Sequence, residues 1–187
     1  MSSYYRPSQL EDALGALHER PLTILAGGTD FYPSRVGVPL DDHVLDITRI
    51  DQLRAIEEPE AGTRIGALVT WTDVLRKALP PWFDGLRQCA REVGAVQTQN
   101  AGTVVGNLCN ASPAADGTPC LMTLDARVEL TAADGRRTVP VADFVTGVRR
   151  TALRENEMVT GILIPKPANE AAAGFARQRL EIADAWN

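Results

Sequence analysis

The first fifty residues alternate apolar and polar positions in a way that predicts one helix and two short strands. Apolar residues recur at i, i+3, i+4 and i+7, the stripe of an amphipathic helix, at Leu10, Ala13, Leu14 and Leu17. Ser8 and Glu11 have the spacing of a capping box at the start of this helix. Residues 22–26 and 44–47 are short apolar runs typical of strands. These elements predict a small α/β lobe over residues 1–53.

The pattern after residue 53 predicts a second, larger lobe. Predicted helices cover residues 72–79, 82–93 and 118–124. Predicted strands cover residues 54–57, 63–68, 127–131, 137–141 and 158–164. Asp134-Gly135 separates two of these strands and is a strong hairpin signal. We therefore expect an α+β fold with a mixed sheet in a lobe over residues 54–167, followed by a tail over residues 168–187.

Composition and charge limit the classes of partner. Apolar residues make up 44% of the 187-residue chain and charged residues 23%, which suits a folded globular protein. The net charge of -5 disfavours nucleic acid or an anionic membrane as a partner. No stretch reaches the ~20 apolar residues of a membrane span, and the N-terminus lacks the apolar core of a signal peptide. The sequence thus predicts a cytoplasmic protein without a membrane span.

The residues that commonly bind metals or attack substrates form no recognisable motif. Cys89, Cys109 and Cys120 are an odd, widely spaced set without a CxxC pattern, so neither disulfides nor a metal site is expected. His18 and His43 have no neighbouring pattern for nucleophilic catalysis. We predict no catalytic residue and no metal ligand in this chain.

The first candidate binding motif is a glycine bend after the second predicted element, Leu25-Ala26-Gly27-Gly28-Thr29-Asp30. A strand that breaks at two glycines exposes several backbone N–H groups in one direction, which favours a diphosphate. The Thr29 hydroxyl can add a donor. The alternative is an ordinary turn into a short helix that Thr29 or Asp30 caps. The GxGxxG spacing of a Rossmann dinucleotide site is missing.

The second candidate motif is the polar, glycine-containing run over residues 100–116. Gly102 and Gly106 permit a close approach of the backbone to a ligand. Hydroxyl, amide and carboxyl groups follow in one continuous stretch, at Thr103, Asn107, Asn110, Ser112 and Asp116. The alternative is a turn-rich loop whose Asn and Ser side chains bond to their own backbone.

Together the two motifs resemble the FAD-binding subunit of the molybdenum hydroxylases, the family of xanthine dehydrogenase and aerobic carbon monoxide dehydrogenase. The resemblance spans about residues 4–165 and is most specific in Thr-x-x-Gly-Asn at residues 103–107 and Ala-Ser-Pro-x-x-Asp at residues 111–116. It implies a two-lobed FAD-binding fold of the type shared with vanillyl-alcohol oxidase. It also implies which residues touch the cofactor.

In the first motif, the backbone amides of Ala26, Gly27, Gly28 and Thr29 would line the FAD diphosphate. Leu25 and Asp30 would also belong to the cofactor site, and Asp30 carries the first acidic side chain of the loop. In the second motif, the residues that would touch the flavin and diphosphate are Gly102, Thr103, Gly106, Asn107 and Asn110. Ser112 and Asp116 would bond to ribityl or ribose hydroxyls. Met158 and Val159 would pack near the isoalloxazine or the adenine, although a plain core strand is the alternative for both.

The resemblance further implies an electron-transfer function. Electrons would pass from a molybdopterin-binding large subunit through a [2Fe-2S] small subunit to FAD, and then to NAD, oxygen or a quinone. Two departures favour the alternative of a truncated structural or assembly subunit with weak or no FAD binding. Val105 stands where the family usually has glycine, and it would be strained if that position needs a positive φ. The chain also ends at Asn187, without the family's C-terminal domain.

Overall fold

The computed structural model describes residues 3–37 and 42–168. Its helices are α1 (Leu10–Glu19), α2 (Trp71–Arg76), α3 (Asp84–Glu92), α4 (Val96–Ala101), α5 (Val104–Asn110), α6 (Gly117–Thr123) and α7 (Val141–Phe144). Its strands are β1 (Tyr4–Tyr5), β2 (Thr23–Leu25), β3 (Val44–Asp46), β4 (Ile56–Glu57), β5 (Gly62–Gly66), β6 (Arg127–Ala132), β7 (Gly135–Pro140), β8 (Val145–Gly147), β9 (Arg150–Thr151) and β10 (Met158–Pro165). Short 3₁₀ helices cover Pro33–Arg35, Asp51–Leu53 and Pro81–Phe83. The predicted tail lies outside the described residues, apart from its first residue.

The N-terminal part is a three-stranded parallel sheet in the order β1-β3-β2, with α1 between its first two strands in the chain. Helix α1 buries the predicted stripe of Leu10, Ala13, Leu14 and Leu17. The predicted capping box is wrong, because the residue that precedes the helix is Gln9 and its side chain makes no cap hydrogen bond. The apolar period thus placed the helix correctly, but the cap motif misplaced its start by one residue.

The larger sheet has five strands in the order β4-β5-β10-β6-β7. Every pairing in it is antiparallel, so the expectation of a mixed sheet is wrong. The predicted hairpin at Asp134-Gly135 is confirmed, since β6 and β7 pair with Ala132 opposite Gly135. The last strand in the sequence, β10, lies at the centre of the sheet, and this position explains why most of its residues are apolar.

Strand β10 contains a bulge that decides which of its side chains share a face. Val159 pairs with Leu130 and Gly161 pairs with Glu129, so Thr160 is the extra residue. The Thr160 hydroxyl donates to Glu129 Oε1 at 2.7 Å and lies 2.8 Å from Thr131 Oγ1. Arg64 Nη2 donates to the same Glu129 oxygen at 2.7 Å. The bulge is therefore fixed by polar side chains that are buried (Thr131, Thr160) or partly buried (Arg64, Glu129).

The two sheets share one hydrophobic core. Its largest fully buried side chains include Leu45 of the parallel sheet, Leu130 of the antiparallel sheet, and Trp71, Phe83 and Phe144 from the helices around them. Helix α1 also packs against β6. The chain is a mixture of helices and sheets, as predicted, and the lobe boundary between residues 53 and 54 stays a prediction.

Candidate cofactor site

The two glycine-containing motifs meet in space, backbone against backbone. A Cβ atom added to Gly27 would lie 1.9 Å from the carbonyl oxygen of Ala101. A Cβ atom added to Gly102 would lie 3.2 Å from Thr29 Oγ1. No side chain fits at position 27 without a shift of the backbone, so this glycine is required by the close approach.

The first bend follows β2 and does not lead into a capped helix. Gly28 has a φ of 74°, a left-handed conformation that suits glycine, and its carbonyl accepts from Tyr32 N–H at 3.1 Å. The next helical turn is Pro33–Arg35, preceded by Tyr32, so the alternative that Thr29 or Asp30 caps a helix is wrong. The N–H groups of residues 27–30 donate no hydrogen bond to any part of the chain that the structure describes. They are the donors that the bend offers to a ligand.

The second motif is helical, and the alternative of a turn-rich loop is wrong for most of it. Residues 96–101 form α4 and residues 104–110 form α5. Thr103 caps α5, because its Oγ1 accepts from Gly106 N–H at 2.9 Å. Val105 lies inside α5, buried and with a negative φ, so the expected strain at this position is absent.

A cavity of about 310 Å³ lies between the two motifs. This volume is at the lower end of the ~300–1,000 Å³ typical of ligand pockets, so a dinucleotide would extend beyond it. The predicted site residues that line the cavity are Leu25, Ala26, Gly27, Gly28, Thr29, Asp30, Gly102, Thr103, Gly106, Asn107, Asn110 and Val159. The structure thus brings the whole of the first motif together with most of the second.

Three predicted site residues lie outside the cavity lining. Met158 is fully buried in the core, whereas the next residue in β10, Val159, lines the cavity. Ser112 accepts from the N–H of Ala114 at 3.2 Å, within its own turn. Asp116 is exposed and directly precedes Gly117 at the start of α6. Contacts of Ser112 and Asp116 with the part of a cofactor beyond the cavity stay predictions.

Several residues of the cavity wall were not predicted from the sequence. Phe31, Thr98, Cys109 and Leu153 belong to this group. Phe31 directly follows the first bend. Cys109 lies on α5, so a helical interpretation of residues 104–110 would have placed it in the cavity wall. Leu153 comes from a segment between β9 and β10 for which the sequence gives no signal. Burial raises the pKa of the Cys109 thiol to about 12, so it is a protonated, weakly polar part of the wall.

Two asparagines one turn apart on α5 have the oxygen ends of their amides already bound. Asn107 Oδ1 accepts from Gly117 N–H at 3.3 Å, and Asn110 Oδ1 accepts from the guanidinium of Arg149. Neither Nδ2 group donates to a residue within the described ranges 3–37 and 42–168. Both residues line the cavity. The site therefore combines backbone and amide N–H donors on a largely apolar wall, a combination that suits a large ligand rich in acceptor oxygens.

Residues 3–37 and 42–168 hold no group of three or more His, Cys, Asp or Glu side chains arranged to bind a metal ion. No described helix is both long enough and apolar enough to cross a membrane.

Comparison with known proteins gives one matching family model, described as the FAD binding domain in molybdopterin dehydrogenase, over residues 1–167. The nicotinate dehydrogenase FAD-subunit of Eubacterium barkeri is 36% identical over 92% of this chain and 61% of its own length. The carbon monoxide dehydrogenase medium chain of Hydrogenophaga pseudoflava is 29% identical over 95% of this chain and 63% of its own. This chain thus spans less than two thirds of these relatives.

Solved structures show the same fold. A crystal structure of the Cu,Mo-CO dehydrogenase in its cyanide-inactivated form has a TM-score of 0.84 and 28% identity, over 90% of this chain and 60% of that chain. Quinoline 2-oxidoreductase from Pseudomonas putida 86 has a TM-score of 0.78 and 26% identity, again over 90% and 60%.

Proposed function

Because the chain belongs to the family of FAD-binding domains in molybdopterin dehydrogenases, we propose that it is the FAD-binding electron-transfer subunit of a molybdenum hydroxylase complex. The observation that carries this proposal is the contact between Gly27 and Ala101, which joins the two glycine-containing motifs around one cavity. If side chains had filled the space between the two motifs, the structure would have contradicted this proposal.

The residues around the cavity fit the cofactor. FAD carries an anionic diphosphate, and the N–H groups of residues 27–30 are free to donate to its oxygens. The Nδ2 groups of Asn107 and Asn110 add two donors for acceptor atoms of the flavin or diphosphate. The apolar wall, which includes Val105 and Val159, suits an aromatic ring system. When bound, FAD supplies the redox chemistry, and the chain supplies its position and its polar surroundings.

The proposed complex has two further subunits and passes electrons in one direction. A molybdopterin-binding large subunit would oxidise the substrate, a [2Fe-2S] small subunit would transfer the electrons, and this chain would deliver them to NAD, oxygen or a quinone. Curated relatives support this arrangement, since they are named as FAD subunits or medium chains of dehydrogenases. We also propose that the chain is cytoplasmic and that its fold is of the type shared with vanillyl-alcohol oxidase.

The test is a visible absorbance spectrum of the purified chain after addition of FAD and desalting. A retained flavin spectrum is expected. A protein that is colourless after desalting from saturating FAD would favour the alternative of a structural subunit.

Asn107→Ala should weaken FAD retention more than it lowers the melting temperature, because it removes a donor from the cavity wall. Wild-type flavin content in this variant would mean that the site is placed wrongly.

A further inference from the structure

The turn of the β8–β9 hairpin touches the C-terminal end of α5 through Arg149, which lies outside the predicted site. The N–H of Arg149 donates to the carbonyl oxygen of Ala111 at 2.8 Å. Its guanidinium donates to Asn110 Oδ1. Asn110 lines the cavity and Arg149 does not. The hairpin thus contacts the cavity wall through Asn110.

Both partners of this backbone hydrogen bond have a left-handed conformation. Among the described residues other than glycine, positive φ occurs at Ala111 (44°), Asp125 (50°) and Arg149 (56°), so two of the three meet at this contact. A residue with a Cβ atom is disfavoured in this conformation, and glycine would suit the turn better. The geometry of the turn therefore does not explain why position 149 carries an arginine, whereas its side-chain contact does.

That contact determines which way the Asn110 amide is oriented. A guanidinium group can only donate, so the amide must present its oxygen to Arg149. Nδ2 is then left to donate elsewhere, and no acceptor for it lies among the residues that the structure describes. Without Arg149 the amide could rotate by 180° and present its oxygen to the cavity, which an oxygen atom of a ligand would repel.

We propose that Arg149 is a positioning residue, which holds the Asn110 amide so that its Nδ2 donates to an acceptor oxygen of bound FAD. This inference rests on the proposed function and adds a residue outside the cavity wall to it. The same orientation is given to Asn107 by the N–H of Gly117. The site then presents two amide donors on one face of α5, each fixed by a group from another element.

The first experiment replaces Arg149 by glycine in the 187-residue chain and measures the FAD dissociation constant by flavin fluorescence. We expect FAD to bind three- to tenfold more weakly, which is about the loss of one neutral hydrogen bond. The melting temperature without FAD should stay the same or rise, because glycine relieves the left-handed backbone. A merely structural arginine would give the opposite result, a lowered melting temperature with unchanged affinity.

Two further variants show whether Arg149 acts through Asn110. The double variant Arg149→Gly/Asn110→Ala should bind FAD as weakly as Asn110→Ala alone, since the group that Arg149 positions is gone. Arg150→Gln removes a neighbouring positive charge that makes no contact with Asn110, and it should bind FAD like the wild type. Additive losses in the double variant, or an equal loss in Arg150→Gln, would overturn the positioning role.

The outcomes separate this inference from the proposed function. If the wild-type chain binds FAD and Arg149→Gly binds it equally well, the positioning role is wrong and the proposed function stands. If the wild-type chain does not bind FAD at all, both are wrong.

Discussion

At the scale of single residues, the site requires a residue without a Cβ atom at position 27. Gly27 and Ala101 approach so closely that even a methyl group at position 27 would overlap with a carbonyl oxygen. The sequence indicated that both motifs need glycine, but only the structure identifies which atoms meet.

Gly27→Ala should destabilise the chain by about 1–3 kcal/mol, because the added methyl group forces two backbone segments apart. It should also abolish FAD retention, since the same displacement opens the cavity wall.

Gly15→Ala is the matched control for Gly27→Ala. Gly15 lies inside α1 with nothing within 4 Å of an added Cβ, so this change should stabilise the chain by about 0.5–1 kcal/mol. Urea unfolding of both variants, with flavin absorbance after desalting, measures the two effects. A normal flavin content in Gly27→Ala would contradict the model of the site.

A partly buried ion pair holds the segment that carries Leu153 beside the cavity. Arg137 donates through Nε and Nη2 to Glu157, each at 2.7 Å, and through Nη2 to the Ala152 carbonyl at 2.8 Å. The hydrogen bonds from Arg137 hold the pKa of Glu157 below its usual value of 4.5. The unfolded chain therefore takes up this proton at a higher pH than the folded chain. The stabilisation is fully present above pH 4.5 and is lost as the pH falls through the lower folded pKa.

Arg137→Met should cost about 1–3 kcal/mol of unfolding free energy at pH 7, because it leaves the Glu157 carboxylate buried without its main partner. The difference from the wild type should shrink as the pH is lowered below 4.5. Arg136→Met, at the exposed neighbouring position, should change stability by less than about 0.5 kcal/mol. Urea unfolding at a series of pH values tests this, and a difference that stays constant with pH would contradict the role of the ion pair.

At the scale of elements, the sequence predicted most helices and strands but not the glycine-rich run. Strands and amphipathic helices bury regular stripes, and these periods can be recognised without tertiary information. Residues 104–110 include Gly106 and two asparagines, which favour turns locally. They form α5 because Thr103 caps it and because Val104, Val105 and Leu108 are buried in the core. Here tertiary packing outweighs local preference.

The bulge in β10 is the second feature that the sequence does not reveal. Strict alternation cannot say on which face Met158 and Val159 lie, because one extra residue in the strand exchanges the two faces. The polar side chains that fix the bulge come from β5 and β6, far away in the sequence. The sequence therefore could not say that Val159 lines the cavity whereas Met158 is buried in the core.

Thr160→Val tests the bulge. The substitution keeps the shape and strand preference of the side chain but removes its buried hydrogen bond with Thr131 and its partly buried one to Glu129. We expect a loss of about 1–3 kcal/mol in unfolding free energy by urea denaturation. Thr138→Val on exposed β7 should be close to neutral. If the two variants are equally stable, the polar cluster does not hold the bulge.

At the scale of the whole molecule, the chain places its candidate site where the parallel sheet, the central helices and the antiparallel sheet meet. β2 provides the first bend, α5 provides the amides, and β10 provides Val159. The family resemblance was visible in the two motifs alone. The position of the site was not, because it depends on how distant segments pack around one core.

The proposed relay makes a prediction about the complex. Purified molybdenum and iron–sulfur partners of this chain should oxidise substrate without it when an artificial acceptor reoxidises the iron–sulfur clusters, because no group of this chain is assigned to substrate hydroxylation. Addition of the FAD-loaded chain should restore electron transfer to the natural acceptor. Steady-state rates with and without the chain measure both effects, and partners that fail with every artificial acceptor would count against the relay.

The contact between Gly27 and Ala101 also has a consequence for biogenesis. A fragment that carries only one of the two motifs lacks the other side of the cavity, so flavin loading must wait until the folded chain has brought both motifs together. The yellow colour of a refolding sample would then report native assembly directly, and ligand present during refolding would favour the closed state by mass action.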